Sequence, residues 1–126
     1  FNVNVFGTLR LTKALLPSLK ASNLAKVANI SSLMGSISDN SSGGYYAYRS
    51  SKTAVNMITK CMALDLYQDN ISSITLHPGW VQTEMGGKNA EVTVRESTTG
   101  IKSVIEKMNM ESSGLFMQYD GKVLPW

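Results

Sequence analysis

Tyr48 and Lys52 stand four residues apart within Gly43–Lys60, a stretch whose pattern reads as a helix. That spacing places both side chains on one helical face, a turn apart. A phenol ordinarily titrates near pH ~10, and a neighbouring ammonium favours the phenolate. Such a pair can exchange a proton near neutral pH, which general acid–base catalysis requires. Tyr-x-x-x-Lys alone is a weak signal, equally compatible with a helix carrying one surface lysine. Its weight depends on what accompanies it.

Other residue types that could do chemistry are few. His77 precedes Pro78-Gly79 and reads as a strand-end residue rather than a catalyst. Cys61 falls in an apolar helical stretch and reads as inert packing. Met57, Met62, Met108, Met110 and Met117 read as core or interface filler. Trp80 and Trp126 either wall an apolar pocket or simply pack. One cysteine and one histidine exclude an intrachain disulfide and a Cys/His zinc site, so no metal is expected.

The elements that must position these residues follow from apolar periodicity. Phe1–Ser22 reads as a helix through Val5, Leu9, Leu16 and Leu19, with Pro17 expected at a kink or in the last turn. Ala25–Ser31 reads as a short buried strand, followed by a Ser/Asp/Asn/Gly loop to Gly44. A second helix spans about Tyr45–Gln68 and is apolar on more than one side, which suggests a sheet beneath and a second surface above. Ile71–Leu76 is the second strand, Thr93 to about Met108 the third helix and Gly114–Gln118 the third strand. Helix–strand–helix–strand–helix–strand predicts an α/β, doubly wound parallel sheet with right-handed crossovers. In such sheets ligands lie beyond the carboxyl ends of the strands. Ser31–Gly44 and Pro78–Gly87 both follow strand ends, and the Tyr48 helix starts at that edge.

Composition bounds the rest. At 126 residues the chain makes one domain at most. With 43% hydrophobic and 17% charged residues it is globular in type. A net charge of +3 is spread without runs, which argues against nucleic acid. No apolar run approaches the ~18 residues of a membrane span. No signal-peptide pattern opens the chain, so a cytoplasmic setting is the default. The chain begins on Phe1, inside what looks like an element, which suggests that its front lies elsewhere.

Four motifs stand in one order: Asn4-Val-Phe-Gly7, Asn29-Ile-Ser-Ser32 followed by Gly35, Tyr48-Arg-Ser-Ser-Lys52 and Pro78-Gly-Trp-Val-Gln-Thr83. With the tail Asp120–Trp126, they resemble the C-terminal half of a short-chain dehydrogenase/reductase. The similarity is to the sniffer-like carbonyl reductases, related to bacterial C-factor proteins, and it covers the whole chain. It implies a Rossmann-like domain of which residues 1–126 are the C-terminal part. The family's Thr-Gly-x-x-x-Gly-x-Gly turn and Asn-Asn-Ala-Gly stretch do not occur here and would precede Phe1. The interval between Ser32 and Tyr48 is longer than in the commonest members, and Ser36–Gly44 absorbs the excess.

The resemblance implies a catalytic set of Tyr48, Lys52, Ser32 and Asn4, with Ser31 competing for the serine's place. Tyr48 would donate a proton, Lys52 would also bond the nicotinamide ribose, Ser32 would hold the carbonyl oxygen and Asn4 a water. Pro78, Gly79, Val81 and Thr83 would line the cofactor, NADP or NAD. The implied reaction is reduction of a small aldehyde or ketone by an enzyme that is a homodimer or tetramer at full length. The alternative is a catalytically incompetent truncated product that keeps the dimerising helices Phe1–Ser22 and Tyr45–Gln68.

Overall fold

The computed structural model describes residues 1–126. Three parallel strands form one sheet in the order β1 (Lys26–Ile30), β2 (Ser72–His77), β3 (Phe116–Gln118). Helix α1 (Thr8–Ala21) precedes β1, α2 (Tyr46–Asp65) joins β1 to β2, and α3 (Val94–Lys107) joins β2 to β3. This is the predicted alternation, and it is Rossmann-like. The strand ends therefore share one edge of the sheet.

Register fixes which side chains share a face. Lys26 pairs with Ser72, Ala28 with Ile74 and Ile30 with Leu76; Leu76 pairs in turn with Met117. Successive residues of a strand alternate between faces. Ile74 and Leu76 pack with Val104 and Met108, joined by Ala28, Ile101, Ile105 and Met117. α3 thus covers one face with a closed apolar cluster. Its start is set by a reciprocal cap: Thr93 Oγ1 accepts from the Glu96 N–H at 3.2 Å, and Glu96 Oε2 accepts from the Thr93 N–H at 2.8 Å. Its end is held by Lys26, whose Nζ donates to the carbonyls of Ile105 (2.8 Å) and Glu106 (2.9 Å). A cation there satisfies orphan carbonyls and complements the helix dipole.

α2 covers the other face, where Val55, Met62 and Ala63 are buried alongside a set of polar contacts. Asn29 Nδ2 donates to Thr59 Oγ1 at 2.9 Å, and Ser31 Oγ donates to the Lys52 carbonyl at 3.2 Å. Ser73, Thr75 and Thr59 are fully buried among these groups. Phe116 lies on this face too, in register with Thr75, and stacks on Trp126 with centroids 5.6 Å apart.

Three expectations are corrected. The first helix is not uniform: Asn2–Gly7 is a π-helical turn, with the Phe6 N–H reaching the Phe1 carbonyl at 3.1 Å, and regular helix begins at Thr8. Pro17 lies inside α1, which continues to Ala21. No residue of α1 is buried, and Leu9, Leu11 and Leu15 are exposed. Leu11 and Leu15 border an open groove along β1, the edge strand, with no further strand beyond it to cover them. Cys61 is exposed rather than packed, because it falls on the outer side of α2, and Met57 is exposed on the same helix. Third, α2 is shorter than the pattern suggested and ends at Asp65, where a separate short turn, Tyr67–Asp69, takes over.

Candidate functional site

The Lys52 ammonium is the best-placed group at the strand edge. Its Nζ donates to the Ile30 carbonyl, the last of β1, at 3.2 Å. It lies 5.8 Å from the centre of the Tyr48 ring, one turn back along α2. Lys52 is half-buried, and desolvation pushes its ammonium below the ordinary lysine value. Tyr48 remains 37% exposed, so its phenol is reachable from solvent.

The two serines diverge because strand residues alternate. Ser31 is buried, and its hydroxyl is spent on the Lys52 carbonyl. Ser32 is half-buried, and its Oγ accepts from the Met34 N–H at 3.2 Å, capping a short 3₁₀ turn, Leu33–Gly35. Its hydroxyl hydrogen keeps a free role. The turn presses directly on α2. A Cβ on Gly35 would stand 2.9 Å from the Lys52 carbonyl carbon and 3.0 Å from its Cβ. Glycine is therefore required for the backbone to come this close to Lys52. The Gly35 carbonyl accepts from Thr53 Oγ1 (2.9 Å) and Asn56 Nδ2 (3.2 Å).

Asn4 lies in the π-helical turn, where an extra residue per turn re-aims side chains. Its Nδ2 reaches Ser51 Oγ at 3.5 Å, and Ser51 Oγ donates to the Tyr48 carbonyl at 2.8 Å. Asn4 thus reaches the Tyr48 backbone through Ser51, whereas Ser32 approaches α2 only through the turn that it caps.

The Pro78–Thr83 segment leaves β2 at the same edge. Gly79 has φ +85°, and a Cβ there would lie 3.0 Å from the Tyr119 ring and 3.1 Å from Val92 Cγ2. Both conformation and space call for glycine. The buried Ser97 hydroxyl donates to the Pro78 carbonyl at 2.6 Å. Val92 uses both backbone groups on this segment: its N–H donates to Trp80 O and its carbonyl accepts from Gln82 N–H. The Val81 N–H is left without a protein acceptor. A free donor just beyond β2, on the sheet edge where Lys52 Nζ meets the Ile30 carbonyl, suits the carboxamide end of a nicotinamide cofactor. Thr83 Oγ1 accepts from the Gly86 N–H at 3.1 Å, closing its own turn. Trp80 Nε1 donates to the Gly86 carbonyl at 2.8 Å, so this tryptophan braces the loop.

His77 lies at the end of β2 with a buried Nδ1 that has no partner. Burial pushes its imidazole below the ordinary histidine value, opposed by the carboxylates of Asp120 and Asp39. Sequence reasoning missed Ser51, Asn56 and Ser97, because a hydroxyl or amide inside a helix carries no periodic signal. No group of three or more His, Cys, Asp or Glu side chains is close enough to hold a metal ion. No helix is long and apolar enough to cross a membrane.

Comparison with known proteins agrees with this fold. The chain is 45% identical over 126 residues to C-signal of Myxococcus xanthus, covering all of this chain and 76% of that protein. It is 38% identical over 128 residues to 1-hydroxy-2-glutathionyl-2-methyl-3-butene dehydrogenase of a Rhodococcus species, covering 98% of this chain and 56% of that one. Among solved structures, the carbonyl reductase Sniffer of D. melanogaster superimposes with a TM-score of 0.92 at 41% identity, over 98% of this chain and 54% of that one. The NADPH-bound carbonyl reductase from chicken fatty liver gives 0.89 at 38% identity, with the same coverage. The chain thus spans about half the length of these reductases. Residues 1–93 match the short chain dehydrogenase family, and the chain belongs to it.

Proposed function

We propose that this chain is the C-terminal part of an NAD(P)-dependent oxidoreductase that reduces aldehyde or ketone carbonyls, in a cytoplasmic setting. The observation that carries the reading is the Lys52 ammonium, tied to the end of β1 and 5.8 Å from the Tyr48 ring. NADP is the favoured cofactor, because solved relatives carry NADPH or NADP. When bound, the cofactor supplies the hydride that reaches the carbonyl carbon, which side chains cannot supply. The chain's own residues deal with the oxygen. Tyr48 donates the proton, so that one hydride and one proton convert the carbonyl to an alcohol. The Ser32 hydroxyl donates to the carbonyl oxygen as negative charge develops there. Lys52 stabilises the tyrosinate left behind and bonds the ribose. Asn4 supports the route by which the proton is replaced. Pro78, Gly79, Val81 and Thr83 border the nicotinamide, with the Val81 N–H as the free donor.

The test is a Tyr48→Phe variant of the full-length protein, assayed by NADPH oxidation with para-nitrobenzaldehyde. Turnover should fall about 10²- to 10⁴-fold while titration of NADPH fluorescence still shows binding. Near-normal turnover in Tyr48→Phe would refute the proton-donor assignment.

A second reading is favoured by the uncovered stripe on α1, where Leu11 is 62% and Leu15 46% exposed. Here the 126-residue chain is a catalytically incompetent truncated product that keeps α1 and α2 as its dimerising helices. It predicts a defined oligomer by analytical ultracentrifugation and no NADPH binding by the isolated chain. A monomer that binds NADPH would sink it.

A further inference from the structure

The loop that lengthens the interval between Ser32 and Tyr48 is held in an unusual way. Gly43, Gly44 and Tyr45 all have positive φ, at +68°, +70° and +51°. Glycine takes this conformation at little cost, so the strain lies on Tyr45, the residue that enters α2. The helix they enter has no side-chain cap at its start and no acidic residue in its first turn. Something else must hold this entry.

Arg49 does so. Its Nε donates to the Gly43 carbonyl at 3.2 Å, and its Nη2 donates to Ser42 Oγ at 3.0 Å. Its Nη1 donates to the Met34 carbonyl at 3.4 Å. Met34 belongs to the turn that Ser32 caps, and Arg49 directly follows Tyr48. One guanidinium therefore touches both ends of the interval that separates the two candidate catalytic hydroxyls. All its acceptors are neutral, and no carboxylate lies within ion-pair distance of it. Arginine suits this task because its planar fork sends N–H groups in several fixed directions, whereas a lysine ammonium is a point donor. The rest of the loop is secured locally: Asn40 Oδ1 accepts from the Gly43 N–H, and the Ser38 N–H donates to the Trp126 carbonyl.

We propose that Arg49 is a positioning residue whose guanidinium clasps the Ser36–Gly44 loop and the Ser32-capped turn onto the start of α2, setting Tyr48 against Ser32. The proposal rests on the reading of Tyr48 and Ser32 given above. It assigns Arg49 no contact with substrate.

The test compares wild type, Arg49→Ala and Arg49→Lys in the full-length protein by two independent readouts. Hydrogen exchange of the 36–44 amides reads the clasp, and para-nitrobenzaldehyde reduction reads its consequence. Arg49→Ala should exchange faster in 36–44 and lose about tenfold in kcat, since small misplacements of reacting groups are costly. KM for NADPH should hardly change. Millimolar guanidinium should restore part of the lost kcat in Arg49→Ala, and Arg49→Lys should remain slow. If Arg49→Ala does not fold, Arg49→Lys is read by the same two measurements. Faster exchange with wild-type kcat would overturn the proposal, as would slow kcat with unchanged exchange. Full activity in Tyr48→Phe sinks the proton-donor reading without touching the exchange result, so the two failures separate.

Discussion

The two faces of the sheet are built from different materials. Against α3, Ala28, Ile74, Leu76 and Met117 meet Ile101, Val104, Ile105 and Met108, with Lys26 and Ser72 at the start of the strands on the same face. On the α2 side, Asn29, Ser31, Ser73, Thr75 and His77 share a strand face with Val27 and Phe116. Asn29 bonds Thr59 and Ser31 the Lys52 carbonyl, while α2 buries Val55, Met62 and Ala63 beside Asn56 and Thr59. The polar face also carries every buried side-chain atom without a partner: Asn56 Oδ1, Ser73 Oγ, Thr75 Oγ1 and His77 Nδ1. An unmet buried group costs about 1–3 kcal/mol, so this face is built below its attainable stability. The apolar face supplies the compensating burial. Departures from local consistency concentrate where a fold carries its chemistry, and Ser31, Lys52 and the candidate site all belong to the α2 side.

The largest effect should come from the apolar face. Leu76→Ala removes a fully buried side chain and should lower unfolding free energy by about 2–5 kcal/mol in urea titrations. A loss under about 1 kcal/mol would mean that α3 does not anchor the sheet.

A smaller effect separates the faces by pH. The His77 imidazole is held below its ordinary value by burial, so the unfolded chain binds its proton first. Stability is then full above the ordinary histidine pKa and declines as pH falls through it towards the lower folded value. Thermal midpoints of wild type should drop between pH ~7.5 and ~5.5, and those of His77→Gln should drop less. Equal drops would remove His77 from the account.

The smallest effect is also the most specific. Thr75→Val replaces an unpartnered, fully buried hydroxyl by a methyl of similar volume. Because the lost group makes no bond, stability should stay level or rise by up to about 1 kcal/mol. A clear loss would show that this hydroxyl has a partner in solution, and the contrast between the faces would shrink.

Much of this was legible in the residue pattern. Strand identity, parallel order and the shared edge followed from apolar runs spaced by helices. Asn4, Ser32, Tyr48, Lys52 and Pro78–Thr83 could be named from motif order. Burial of helices was less legible, for a definite reason. Periodicity tells which stripe a helix would bury, not whether anything lies beneath it. Leu11 and Leu15, a turn apart in α1, are exposed because they border only an open groove along β1, an edge strand. The π-helical turn at Asn2–Gly7 was invisible because one added residue in a single turn leaves apolar spacing nearly unchanged. Arg49 was hidden as an unspecified position inside the Tyr-x-x-x-Lys motif, since a hydrogen-bonding fork leaves no periodic trace.

The parallel register also governs the speed of folding. Ser72 bonds to Ala25 across 47 residues, and Ser73 to Ser113 across 40. No strand can meet its neighbour until an entire crossover helix has closed the gap. Chains dominated by such distant pairings fold slowly, because the entropy of loop closure is spent before the contacts repay it. α2 and α3 can form locally and early, so the rate-limiting encounter should be β1 with β2, brought together by the same helix that carries Tyr48 and Lys52.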